Sequence, residues 1–176
     1  FIIYITEGIN KKSHLAVLSI FISLSITGVL AIIFSDLMSL SGMSEDSTYL
    51  ITLLGQEINF KGILLASVII GTLGVLDDMV ISQISTVWEI KKASLNLDHQ
   101  DILRKAYRVG VSHISSMTNT LFLAYAGSSI TILLLFSVGG MNFSDILNNH
   151  LIATEIFRSF IGAIGIVLAM PISTFL

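Results

Sequence analysis

Residues 62–88 read GILLASVIIGTLGVLDDMVISQISTVW. The stretch holds twenty-seven residues and two formal charges, the adjacent Asp77 and Asp78. A bilayer core needs about 20 consecutive apolar residues of helix. This segment is therefore long enough to cross a membrane, and it places two carboxylates near the middle of the crossing. Three more segments share its length and apolarity without its central charges. They run over about 15–34, 111–138 and 152–176. The fold class is all-α: a polytopic membrane bundle of about four transmembrane helices in a single membrane domain, 1–176.

Composition agrees with lipid as the solvent. Residues are 53% hydrophobic and 12% charged, and mean hydropathy is +0.88. A soluble domain carries roughly 25% charge. There is no cysteine, which removes disulfides and thiolate metal sites. The chain begins at Phe1 rather than Met and reads as an excerpt of a longer protein. Lys11 and Lys12 precede the first span, but that span is too long for a signal-peptide core.

Orientation follows from the nine basic residues. Cytoplasmic loops hold an excess of Lys and Arg. Lys11, Lys12, Lys91, Lys92, Arg104, Lys105 and Arg108 fall in regions that share a side. Residues 1–12 and 89–110 are thus expected in the cytoplasm, and 35–61 and 139–151 outside. Two short amphipathic interfacial helices are expected in the loops. One covers 98–109, capped by Asp98, with Ile102, Ala106 and Val109 at helical spacing. The other covers Tyr49 to Leu54.

An acidic side chain at a helix centre costs about 2.5–3.5 kcal/mol on insertion scales. Two adjacent ionised ones cost more and repel each other. At least one is expected to be protonated, strongly hydrogen-bonded, exposed to a water-filled cavity, or paired outside this chain. Those are the circumstances of a proton relay or a cation site. Ser67, Gly71, Gly74, Asp78, Ser82, Ser85 and Glu89 recur at spacings of three and four. They form a small, polar stripe that is expected to face protein. Asp77 lies about 100° around the helix from Asp78. The third span carries Ser116, Asn119 and Thr120, whose amide and hydroxyl groups can donate to a carboxylate. Depths of about 16 Å for Asp78 and 12 Å for Asn119 from the cytoplasmic border differ by roughly one helical turn. Gly127 in the third span, and Gly162 and Gly165 in the fourth, are the other expected close-packing glycines. Glu155 and Arg158 stand three apart and are expected to pair structurally. His113 reads as a solvated or capping group at the cytoplasmic end of its span.

The chain is not read as an enzyme: H-E-x-x-H, G-x-S-x-G and P-loop motifs are absent. No cofactor is called for. The four histidines are too scattered for a metal cluster, and no basic, aromatic-interleaved surface suggests nucleic acid.

Certain runs carry a family resemblance. Gly74-Val75-Leu76-Asp77-Asp78-Met79-Val80-Ile81-Ser82-Gln83 resembles the YibE/F family of multi-pass membrane proteins. So do His113-Ile114-Ser115-Ser116-Met117-Thr118-Asn119-Thr120-Leu121, the following Leu123-Ala124-Tyr125-Ala126-Gly127, and Gly162-Ala163-Ile164-Gly165. The chain departs from the family pattern at Val111 and Ser112, where a basic and an acidic residue are often found, and at Thr131, where the family has proline. The resemblance implies a cell membrane of the bacterial inner-membrane type. A more distant likeness is to the helical core of SecD/SecF and RND-type transporters. There too a glycine-containing helix with a central Asp precedes a cytoplasmic helix and a span with Ser, Thr and Asn. It implies carboxylates engaged in proton-coupled motion.

The expected function is a proton- or cation-coupled permease or permease subunit. Asp78 would be the primary ionisable group, Asp77 its partner, and Ser116, Asn119 and Thr120 the polar groups facing them. Expected partners are the lipid bilayer, protons or small cations, the missing N-terminal part of the chain, and a paralogous subunit or second copy. The alternative is a structural or assembly subunit in which these contacts only lock helices together. An intramembrane aspartyl hydrolase fits poorly, because adjacent carboxylates on one helix diverge.

Overall fold

The computed structural model describes residues 2–43, 58–93, 97–140 and 142–176. Six helices follow in order: α1 (Ile2–Thr6), α2 (Lys11–Leu37), α3 (Phe60–Ala93), α4 (His99–Val138), α5 (Phe143–Leu147) and α6 (His150–Phe175). Among the described residues there is no strand. The four long helices contain the four apolar stretches, and each is long and apolar enough to cross a membrane. At 1.5 Å per residue even the shortest extends about 39 Å, beyond the roughly 30 Å hydrocarbon core.

Three long helices begin at a side-chain cap. Asn10 accepts from the Ser13 N–H at 2.9 Å, Asp98 from His99 at 2.7 Å, and Asn149 from Leu151 at 3.0 Å. Each satisfies a backbone donor that the first turn leaves open. Gly42, at φ 72°, sits in the left-handed region, and a methyl there would stand 2.5 Å from the Phe60 carbonyl. Only glycine lets the chain after α2 pass this close to the start of α3. Asp36 and Lys61 form an ion pair at the same end.

The structure differs from expectation between Asp98 and Val138. The amphipathic stretch 98–109 is not a separate interfacial helix. With Asp98 as its N-cap it forms about the first quarter of α4, which runs without a break for 40 residues. No proline interrupts it, and Gly110, the residue suited to a break, is buried inside the helix. The expected interfacial helix at Tyr49–Leu54 lies outside the described residues.

Helices α3 and α6 each pack against all three other long helices, and α2 and α4 take the flanks. Three apolar clusters run along the bundle. Ala16 and Ile20 of α2 meet Leu76, Val80 and Ile84 of α3. Ala31, Leu64, Val68, Phe157 and Ile161 pack near the Asp36–Lys61 end. Met79, Leu121, Ile166 and Met170 join α3, α4 and α6. The buried face of α2 is largely small and polar: Ser13, Ala16, Ser19, Ser23, Thr27, Ala31 and Ser35. Thr27 donates to the Ser23 carbonyl at 2.8 Å. Such short side chains let α3 and α6 come close. At the tightest point a methyl on Gly165 would lie 2.9 Å from Thr27 Oγ1 and 3.0 Å from Thr72 Cγ2.

Candidate functional site

Two contacts fix the register of α3 against α4. A methyl at Gly71 would stand 2.5 Å from the Tyr125 hydroxyl. Further along, Ser82 Oγ and His113 Nδ1 are 3.1 Å apart. The helices run antiparallel, so interpolation between these contacts sets Asp78 level with Met117 and Thr118. Asn119 and Thr120 lie within about a helical turn of that level.

The level agrees with expectation, but the direction of the side chains does not. The buried face of α3 is Leu64, Val68, Thr72, Leu76, Met79, Val80, Gln83 and Ile84. The polar stripe runs along its edge. Gly71 and Ser82 reach α4, whereas Gly74, Asp78 and Glu89 are exposed. The apolar residues take the interior, and the stripe is split by the shape of the contact rather than buried as a unit. Asp77 is half-buried. On α4, Ser116, Asn119 and Thr120 are all exposed. Thr120 spends its hydroxyl hydrogen on the Ser116 carbonyl of its own helix, at 3.0 Å. Among the described residues, neither aspartate has a hydrogen bond or an ion pair.

The result is a set of exposed polar groups at the depth of the α3 and α4 midsections. Asp78 and Gly74 lie on one helix, and Ser116, Asn119 and Thr120 on the next. Gly74 and Gly127 meet nothing within 4 Å, so neither brings helices of this chain together. Gly71, Gly162 and Gly165 sit at close approaches, Gly162 with Leu121 Cδ2 at 2.7 Å from where a methyl would be. An exposed carboxyl with hydroxyls and an amide at the same depth can accept, donate and exchange a proton. Among the described residues, no three His, Asp or Glu side chains group to hold a metal ion.

Sequence reasoning missed the polar centre inside the bundle. Gln83 is completely buried. Its amide nitrogen donates to the Ala106 carbonyl at 3.0 Å and to Thr174 Oγ1 at 2.7 Å. A single side chain of α3 thereby ties α4 to α6. Gly110 makes room for it, since a methyl there would be 2.7 Å from both Gln83 Oε1 and Met170 Cγ. A glutamine in an otherwise apolar α3 segment is a signal for such a node, but its partner Thr174 lies 91 residues away. His113 was expected to be a solvated or capping group, and its contact with Ser82 adds a polar bridge between α3 and α4. Glu155 and Arg158 pair at 3.1 Å, both partly exposed.

Comparison with known proteins adds one result. Neither the curated proteins nor the solved structures contain a match to this chain. The family model for YibE/F-like proteins matches residues 1–176, the full length of the sequence, with the Asp77-Asp78 motif and the Asn119 stretch both inside the match. The chain belongs to the YibE/F-like family.

Proposed function

We propose that this chain is a proton- or cation-coupled permease, or the membrane subunit of one, and that the open face of α3 and α4 carries the coupling ion. The observation that carries the reading is Asp78: an exposed mid-span carboxyl with no hydrogen bond or ion pair among the described residues, level with the polar residues of α4. Lipid rewards no such group, and an intramembrane ionisable residue without a structural partner is most simply explained by work that requires it. Protonation of Asp78 would remove a charge from this face and permit a small shift of α3 against α4, and release of the proton would reverse it. Asp77 stands on the neighbouring face as second carboxyl. The order of Asp-bearing helix, basic cytoplasmic stretch and Ser/Asn/Thr-bearing helix supports the likeness to SecD/SecF and RND-type cores. In the orientation we propose, Lys11, Lys91 and Arg104 mark the cytoplasmic end, and Asp36, Lys61 and His150 the exterior end.

The test is proton flux into proteoliposomes under an imposed pH gradient. Wild-type protein should carry protons faster than empty vesicles, and folded Asp78→Asn should fall to the vesicle leak. Equal flux from both proteins would remove Asp78 from the mechanism. A second reading draws on the open surroundings of Gly74 and Gly127. There the face is a seat for helices of another subunit, and Asp78→Asn leaves function intact as long as assembly survives.

A further inference from the structure

Near the start of α6, a cavity of about 220 Å³ opens between α3, α4 and α6. His150, Thr154, Glu155 and Arg158 line it, together with Gly42 and Ile63. Arg158 Nη1 donates to Glu155 Oε1 at 3.1 Å. Among the described residues its Nε and Nε2 of His150 have no hydrogen-bond partner, and both atoms are closed off from the cavity; the outer parts of the Arg158 and Glu155 side chains stay partly exposed. The guanidinium cannot give up its proton, so its terminal nitrogens are standing donors at the cavity wall.

A second cavity of about 290 Å³ lies between α4 and α6 and is walled almost entirely by carbon. Phe122, Tyr125, Ala126, Ile156 and Phe160 line it. Phe122 and Phe160 meet edge to face at 5.8 Å between ring centres. Glu155 lines both cavities, so polar and apolar space meet at one side chain.

From this junction we infer a binding site for one zwitterionic phospholipid carrying a primary ammonium, with its headgroup in the first cavity and an acyl chain in the second. The phosphate oxygens accept from the terminal nitrogens of the Arg158 guanidinium, and the ammonium donates to the Glu155 carboxylate. Charge selects the headgroup. Arg158 and Glu155 already neutralise each other, so a purely anionic head would leave Glu155 facing like charge. A phosphate joined to an ammonium gives each member of the pair an opposite partner. A quaternary ammonium has no N–H to offer Glu155. The site is independent of Asp78 and of the coupling proposed for it.

The test is native mass spectrometry of the full chain, released from detergent after incubation with dioleoyl phosphatidylethanolamine, phosphatidylglycerol or phosphatidylcholine, and separately with free phosphoethanolamine. The phosphatidylethanolamine adduct should exceed either other lipid by about fivefold or more. Arg158→Gln should erase the preference. Ala126→Trp, which fills the apolar cavity and leaves the headgroup residues alone, should reduce retention of all three lipids. It keeps the test decisive if Arg158→Gln does not fold. Equal retention of the three lipids by wild type, an unchanged preference in folded Arg158→Gln, or undiminished retention by Ala126→Trp would overturn the site. Retention of free phosphoethanolamine as strong as that of the lipid would overturn the acyl-chain half and assign the polar cavity to a soluble ligand.

Discussion

Helices α4 and α6 are similar in apolarity and pack against each other, yet 39% of the most apolar stretch of α6 is buried within the bundle and only 11% of that of α4. The difference lies in where each helix keeps its small residues. On α6, Ser159, Gly162, Ala163, Gly165, Ala169 and Ser173 are all buried, and neighbours approach from several sides. On α4, Ser116, Asn119, Thr120 and Gly127 are exposed, and the inward contacts come from Ile102, Ala106, Gly110 and Leu121. Average apolarity brings a helix into the membrane, while the placement of small side chains decides whether protein or something else covers it. In α6 the small residues build the bundle. In the midsection of α4 Ser116, Asn119 and Thr120 stay on the outside, within about a helical turn of the level of Asp78.

The largest effect should come from filling the inner glycines. Gly162→Leu or Gly165→Leu forces a side chain into Leu121 or into Thr27 and Thr72 and should cost about 3 kcal/mol or abolish folding. Gly127→Leu, on the open face of α4, should stay within about 0.5 kcal/mol. Thermal unfolding in detergent compares the three, and equal losses would break the contrast between the helices. Gly110→Ala comes next. It is the buried glycine of α4, and its methyl would press on Met170 and Gln83, at about 1–3 kcal/mol. Gln83→Leu should cost about 1 kcal/mol by the same measurement, because two hydrogen bonds are lost while the unpartnered Oε1 is removed with them. The smallest change should follow Asn119→Ala. Its side chain is exposed and has no hydrogen bond among the described residues, so unfolding should shift by less than about 0.5 kcal/mol, while proton flux falls. A variant that unfolds early and keeps its flux would make Asn119 structural instead.

Much of this was legible in the sequence, for physical reasons that differ by element. The four spans were, because length and absence of charge are properties of each segment alone. The Asp98 cap and the Glu155–Arg158 pair were, because both partners lie within a helical turn. The continuity of α4 through Gly110 was not. A glycine there reads as a stop until Gln83 and Met170 are seen filling the space beside it. The buried serine face of α2 was also hidden, since an apolar run with interspersed serines gives no clue to which side meets α3. The polar stripe of α3 was found, but its partition into an inner Gly71 and Ser82 and an outer Gly74 and Asp78 depends on how far around α3 its neighbours reach. Gln83 needed Thr174, 91 residues further along the chain.

The central claim is that Asp78 presents a protonatable carboxyl to an accessible face within the membrane. A membrane-permeant carbodiimide couples only to a protonated carboxyl, so labelling of the protein in native membranes, read by peptide mass spectrometry across a pH series, addresses it directly. The account predicts an adduct on the Asp77–Asp78 peptide that increases as pH falls and is largely lost in Asp78→Asn. An unlabelled peptide at every pH, or undiminished labelling in Asp78→Asn, would contradict it.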